Sequence, residues 1–127
     1  MKTGSCLCGA VAFEIHGPMD SAIACHCTQC RKMTGNYWTS THIADGDLKF
    51  IKQDGLKWFA SSAEAKRGFC MECGSSLFWK QNNSDVTSLC VGSIDGQSGL
   101  KLAGHIYCDS AGDYYTITGG DFQKAEW

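Results

Sequence analysis

Seven cysteines in three tight groups are the residues of this sequence best suited to chemistry: Cys6-Leu7-Cys8, Cys25-His26-Cys27-Thr28-Gln29-Cys30 and Cys70-Met71-Glu72-Cys73. Where thiols stay reduced, clustered cysteines are more often metal ligands or catalytic groups than disulfide partners. Cysteines two apart on a strand point to the same face, so Cys6 with Cys8, and Cys25 with Cys27, can each grip one ion. Cysteines three apart, as in Cys27 to Cys30 and Cys70 to Cys73, suit a tight turn whose sulfurs converge on a metal about 2.3 Å from each. Gly74 permits the backbone that such a turn needs. A thiolate-rich tetrahedral site suits zinc; iron uses similar ligands, and spacing alone does not separate the two.

The number of ligands says more than their presence. Two four-coordinate sites require eight donors, and the groups supply seven. A natural division places Cys6, Cys8, Cys70 and Cys73 in one closed, structural site and leaves Cys25, Cys27 and Cys30 with one position free for chemistry. His26, His42, His105, Cys90 or Cys108 would otherwise complete the second site. His26 alternates with Cys25 and Cys27, so on a strand it faces away from them. The spacing leaves the division itself open, because Cys25 and Cys27 could equally meet Cys70 and Cys73.

The elements that must position these groups read as strands. Ala10–Ile15, Tyr37–Ile43, Leu48–Ile51, Lys57–Ala60, Ser76–Trp79, Ser88–Ile94 and Tyr114–Thr118 are short alternating or β-branched and aromatic runs. Turn-forming clusters separate them, among them Asp45-Gly46-Asp47, Asp54-Gly55 and Gln81-Asn82-Asn83-Ser84-Asp85. Helix is predicted over Thr28–Thr34, just after the central cysteine group, with Ser61–Lys66 a weaker candidate. The expected fold is mainly β, with at most short helical turns.

Composition narrows the classes of function. A length of 127 residues suits one domain, and 43% hydrophobic against 19% charged residues excludes a disordered chain. No run approaches the roughly 18 apolar residues of a membrane span. The net charge of −2 gives no basic surface for nucleic acid; seven thiolates on two divalent ions would take it to about −5. With no secretory signal before Cys6, a cytoplasmic, reducing location is expected. Exposed edge strands allow a monomer or a homodimer.

Four stretches, in order, closely resemble the glutathione-dependent formaldehyde-activating enzyme family, which also contains centromere protein V. They are Gly4-Ser5-Cys6-Leu7-Cys8-Gly9-Ala10-Val11, then Cys25 through Lys32, then Arg67-Gly68-Phe69-Cys70-Met71-Glu72-Cys73-Gly74 through Trp79, and Gly104-His105-Ile106-Tyr107. The resemblance implies an Mss4-like zinc-binding β-sheet domain with two Zn²⁺. It assigns Cys6, Cys8, Cys70 and Cys73 to the structural ion, and Cys25, Cys27 and Cys30 to the catalytic one. It further implies a carbon–sulfur lyase-type reaction that adds glutathione, or a similar thiol, to formaldehyde. Arg31 and Arg67 flank the cysteine groups and are candidate contacts for the carboxylates of such a thiol. His105 is a candidate general acid or a hydrogen-bonded core histidine. Cys108 stands where an apolar residue is expected and touches no ligand position.

Overall fold

Short β-branched and aromatic runs cut by glycine and aspartate turns leave room for little else than strands, and the computed structural model, which describes Met1–Trp127, has eleven of them with one α-helix. Strands β1 (Lys2–Ser5), β2 (Ala12–Ile15) and β5 (Leu48–Lys52) form a small antiparallel sheet in the order β1-β2-β5. The larger sheet holds β3 (Ala22–Cys25), β4 (Trp38–Ala44), β6 (Leu56–Ala60) and β7 (Ala65–Cys70). It is completed by β8 (Ser76–Gln81), β9 (Val86–Cys90), β10 (Leu102–Ile106) and β11 (Phe122–Gln123). Its order is β11-β10-β3-β4-β9-β8-β7-β6, antiparallel except where β10 runs parallel to β3 and β11. The mainly β reading holds, and the arrangement agrees with the Mss4-like fold. No helix is long and apolar enough to cross a membrane.

Side chains alternate across a strand, so the large sheet has two different faces. One face meets the small sheet and makes the core. There Phe78 is wholly buried and packs edge-on against Phe13 and Phe50, with ring centroids 5.7 and 5.5 Å apart, and stacks on Trp58 at 5.9 Å. Ile43 of β4 and Leu89 of β9 lie in the same cluster. A register shift after Gly68 leaves Leu77 unpaired on β8, a bulge that lets Leu77 and Phe78 both reach the core. The residues that alternate with the core face, such as Trp38 and Ser40 on β4, Trp79 on β8 and Arg67 on β7, line a cavity instead.

Helix α1 spans Thr28–Thr34, as the sequence predicts. Its boundaries have local causes. The Cys27 sulfur caps the first turn by accepting from the Cys30 N–H at 3.3 Å, and Gly35, at φ +82°, ends the helix by donating to the Arg31 carbonyl.

Three expectations are corrected. Ser61–Lys66 is not helical: the Ser62 hydroxyl accepts from the N–H groups of Glu64 and Ala65, turning the chain into β7. Ser88–Ile94 is a strand only to Cys90, since Val91–Ser93 form a 3-10 turn in which the Ser93 hydroxyl donates to the Cys90 carbonyl. Tyr114–Thr118 is no strand; its tyrosines bind other segments instead, Tyr114 donating its hydroxyl to the Gly35 carbonyl at 2.8 Å.

At the corner after β4, burial raises the Asp45 carboxyl pKa, but hydrogen bonds from Lys80 and Thr87 outweigh it and leave the group below its ordinary 3.8. A depressed folded pKa contributes stability above 3.8 that is lost as pH falls through the folded value. Asp45→Asn is therefore expected to lower Tm at neutral pH, and the gap to the parent protein should close as scanning calorimetry is carried below pH 3.8. Phe78→Ala, which empties the centre of the core, should cost about 3–5 kcal/mol in urea unfolding.

Candidate functional site

The four cysteines Cys6, Cys8, Cys70 and Cys73 converge because two turns are built alike. In the first, Gly9 at φ +82° donates to the Cys6 carbonyl; in the second, Gly74 at φ +80° donates to the Cys70 carbonyl at 2.7 Å. Both glycines hold a left-handed conformation that a side chain would strain. Cys8 therefore lies on a turn past the end of β1, not on a strand with Cys6 as the spacing suggests. All four sulfurs lie within 4.8 Å of one another. Cys8 stands 3.7 Å from both Cys6 and Cys70. That is far beyond the roughly 2.05 Å of a disulfide. It matches the roughly 3.8 Å between sulfurs held tetrahedrally at 2.3 Å from one centre.

The second group has a different support. Cys25 ends β3, Cys27 caps α1 and Cys30 is buried on the inner side of the helix, which brings their sulfurs within 4.8 Å of one another with no fourth histidine, cysteine or carboxylate donor in that radius. Strand alternation stops at Cys25, so Cys27 reaches the group through the helix cap. Three thiols this close cannot ionise independently. Hydrogen bonds from Cys25 and Cys30 pull the Cys27 thiol down to about 2, while the bonds to Cys27 and Cys30 push Cys25 upward. A cation among them would let all three ionise. Both groups could thus hold a metal ion. All nine cysteines, including Cys90 and Cys108, are free thiols, and neither of those two joins a group.

Arg67 is the strongest electrostatic feature beside the three thiols. It is 4% exposed, donates from Nε to Gln29 Oε1 at 3.1 Å and from Nη2 to the Cys30 sulfur at 3.6 Å, and lies 5.9 Å from the Trp38 ring centroid. Gln29 is braced in turn by donating to the Ser61 carbonyl. The sequence reading passed over Gln29, although its place between two cysteines on a helical turn was a signal. Arg31, the other flanking arginine, is not part of the cavity wall.

His26 faces away from the sulfurs, as its position between Cys25 and Cys27 suggests. The hydrogen bonds fix its tautomer. His105 Nε2 lies 3.0 Å from the carbonyl oxygens of Thr118 and Gly119 and so carries the hydrogen. His105 Nδ1 then accepts from His26 Nε2 at 2.9 Å, and His26 Nδ1 accepts from the Tyr115 hydroxyl at 2.7 Å. Burial, followed by the repulsion that a second positive ring beside His105 would meet, holds the His26 pKa below its ordinary 6.5, which favours the neutral ring. With both nitrogens occupied and 2% exposure, His105 is a hydrogen-bonded core residue and does not reach the cavity.

The cavity itself, about 850 Å³, opens over Cys25, Cys27 and Cys30, with Trp38, Trp79 and Ile106 among its apolar walls and Trp127 at its rim. A concave, largely apolar space beside convergent polar groups is the ordinary form of a small-molecule site.

The chain belongs to the glutathione-dependent formaldehyde-activating enzyme family, whose model matches residues 1–110. A crystal structure of a Rhodobacter sphaeroides protein is similar, with a TM-score of 0.62 and 24% identity over 74% of this chain and 88% of that one. At that identity the likeness concerns the fold alone. The family match ends before Tyr115 and Trp127, which this chain brings to the same region.

Arg67→Met should leave Gln29 Oε1 and the Cys30 sulfur without their buried donor, at a cost of about 1–3 kcal/mol in denaturant unfolding. Arg67→Lys should recover little of it, because an ammonium cannot reproduce the forked donation to two acceptors.

Proposed function

We propose that the two cysteine groups hold zinc, one ion closed within Cys6, Cys8, Cys70 and Cys73 and one on Cys25, Cys27 and Cys30, and that the second site serves a carbon–sulfur lyase-type reaction. In it a thiol, glutathione or a similar one, adds to formaldehyde or a related small aldehyde. The observation that carries this reading is the three-thiol group with no fourth protein donor, set against a cavity large enough for a small-molecule thiol. Family membership supports it, since the family's description names both glutathione and formaldehyde activation.

A zinc ion bound there would supply positive charge that favours the deprotonated form of an incoming thiol; with three thiolate ligands it would be a poorer activator of water than a histidine site. The chain's own residues do the rest. Arg67, by donating to the Cys30 sulfur, fixes that ligand and offsets part of the negative charge around it. Trp38 and Trp79 give the space beside the thiols an apolar side, which lowers the local polarity where sulfur would meet carbon. The atoms balance simply. One carbon–sulfur bond forms, the carbonyl double bond becomes a single bond to oxygen, and the thiol's proton ends on that oxygen to give the S-hydroxymethyl adduct.

Because thiols and formaldehyde combine without help, the test is a rate above background. Exchange between free formaldehyde and the adduct, followed by carbon NMR, should be faster with the zinc-loaded protein and fall to the uncatalysed rate with Cys27→Ser. Elemental analysis should find two zinc ions per chain in the parent and one in the variant, whose circular dichroism should remain that of a folded protein. Equal exchange rates with and without Cys27 would reduce the protein to a zinc-stabilised binding module.

A further inference from the structure

The cavity over the three thiols is poor in positive charge for a site that would take a dicarboxylate. Arg67 is the one lysine or arginine on its wall, and two of its three nitrogens are committed to Gln29 and to the Cys30 sulfur. Lys66, next to it on β7, points to the other face of the sheet, where its Nζ sits 4.5 Å from the Trp58 ring centroid. Arg31 follows Cys30 on α1 but lies outside the wall. The wall's one acidic side chain, Glu64, adds charge of the opposite sign. Three thiolates and Glu64 outweigh one divalent ion and Arg67, so the loaded site is net negative before any ligand arrives.

Glutathione carries two carboxylates against one ammonium, and among lysine and arginine groups this wall offers only the remaining nitrogen of Arg67, the wall's other donors being hydroxyls, amides and a histidine ring. Placing the second carboxylate beside thiolates and Glu64 sets like charges together, which weakens binding. What the wall offers in quantity is apolar and aromatic surface: Trp79 and Ile23 are half-buried, Trp127 on the rim is 76% exposed, and the buried Trp38 and Ile106 back them. Resting on the reading of this cavity as a thiol site, we propose that it selects thiols with an uncharged, apolar or aromatic body over glutathione.

Three ligands separate charge from shape: glutathione, its diethyl ester, and phenylmethanethiol. Each is titrated into the zinc-loaded protein near neutral pH, with the fluorescence of the wall tryptophans as readout. The diester and phenylmethanethiol should bind with Kd values at least about tenfold below that of glutathione. In Glu64→Lys the glutathione Kd should fall severalfold while that of phenylmethanethiol stays within about twofold of the parent. Glutathione binding as tightly as its own diester would overturn the proposed selectivity and leave the thiol site standing. If none of the three binds while both zinc ions stay in place, the thiol site itself is wrong, and the selectivity falls with it.

Discussion

Sulfur packed against sulfur is the constraint on which this structure depends. Seven thiols stand in two groups, each within 4.8 Å, and neither group becomes fully ionised unless positive charge sits among the sulfurs. The two groups are braced differently. The closed one is held by a pair of glycine turns at the ends of β1 and β7, so its geometry is set by backbone. The open one is held by a strand end, a helix cap and a buried arginine, so its geometry is set by side chains. Strand β7 ties them together, since Arg67 near its middle donates to Cys30 while Cys70 at its end enters the closed group. A shift of this strand would reach both groups at once.

The same economy governs the large sheet. Strands β4, β8 and β9 each give one face to the core and the alternate face to the cavity, so a single period-two pattern must satisfy dense apolar packing on one side and a roomy, partly polar wall on the other. The small sheet resolves the conflict by covering the first face and leaving the second. That is why Trp38 and Trp79 can be large and apolar without joining the core cluster: they lie on the cavity side, Trp38 buried beneath the wall and Trp79 half-buried upon it.

The sequence carried the site further than the fold. The three cysteine groups and the helix over Thr28–Thr34 were legible because ligand spacing and turn chemistry are local properties, whereas the division of the sulfurs into two sets came from the family resemblance and not from spacing. Five strands went unseen, and they are short or poor in β-branched alternation: β1 reads Lys-Thr-Gly-Ser, β3 reads Ala-Ile-Ala-Cys, β7 contains Gly68, β10 contains Gly104, and β11 is only Phe-Gln. Small residues there are required by close neighbours rather than by strand propensity. A side chain on Gly104 would meet the Phe122 ring at 2.5 Å, and one on Gly68 would meet Phe78 at 2.9 Å. Such requirements come from residues distant in sequence, and no local pattern announces them. The same holds for Glu64, which reaches the cavity wall only once the sheet is assembled.

The paired histidines show how a polar core can set the position of the loop that carries the three-thiol group without touching its sulfurs. His26 lies between two candidate ligands, so anchoring its ring also anchors the backbone that carries Cys25 and Cys27. Its orientation is fixed at both nitrogens, by Tyr115 and by His105, and His105 is fixed in turn by two backbone carbonyls. An apolar side chain of equal volume would fill the space but leave the direction of packing free, whereas a chain of donors and acceptors permits only one arrangement. That chain ends on the segment Tyr115–Gly119, beyond the residues that the family model matches. The loop carrying Cys25 and Cys27 is therefore held from two directions, by Ile106 and His105 of β10 within the matched residues and by Tyr115 and the Thr118 and Gly119 carbonyls beyond them, while the closed group is held by its own glycine turns.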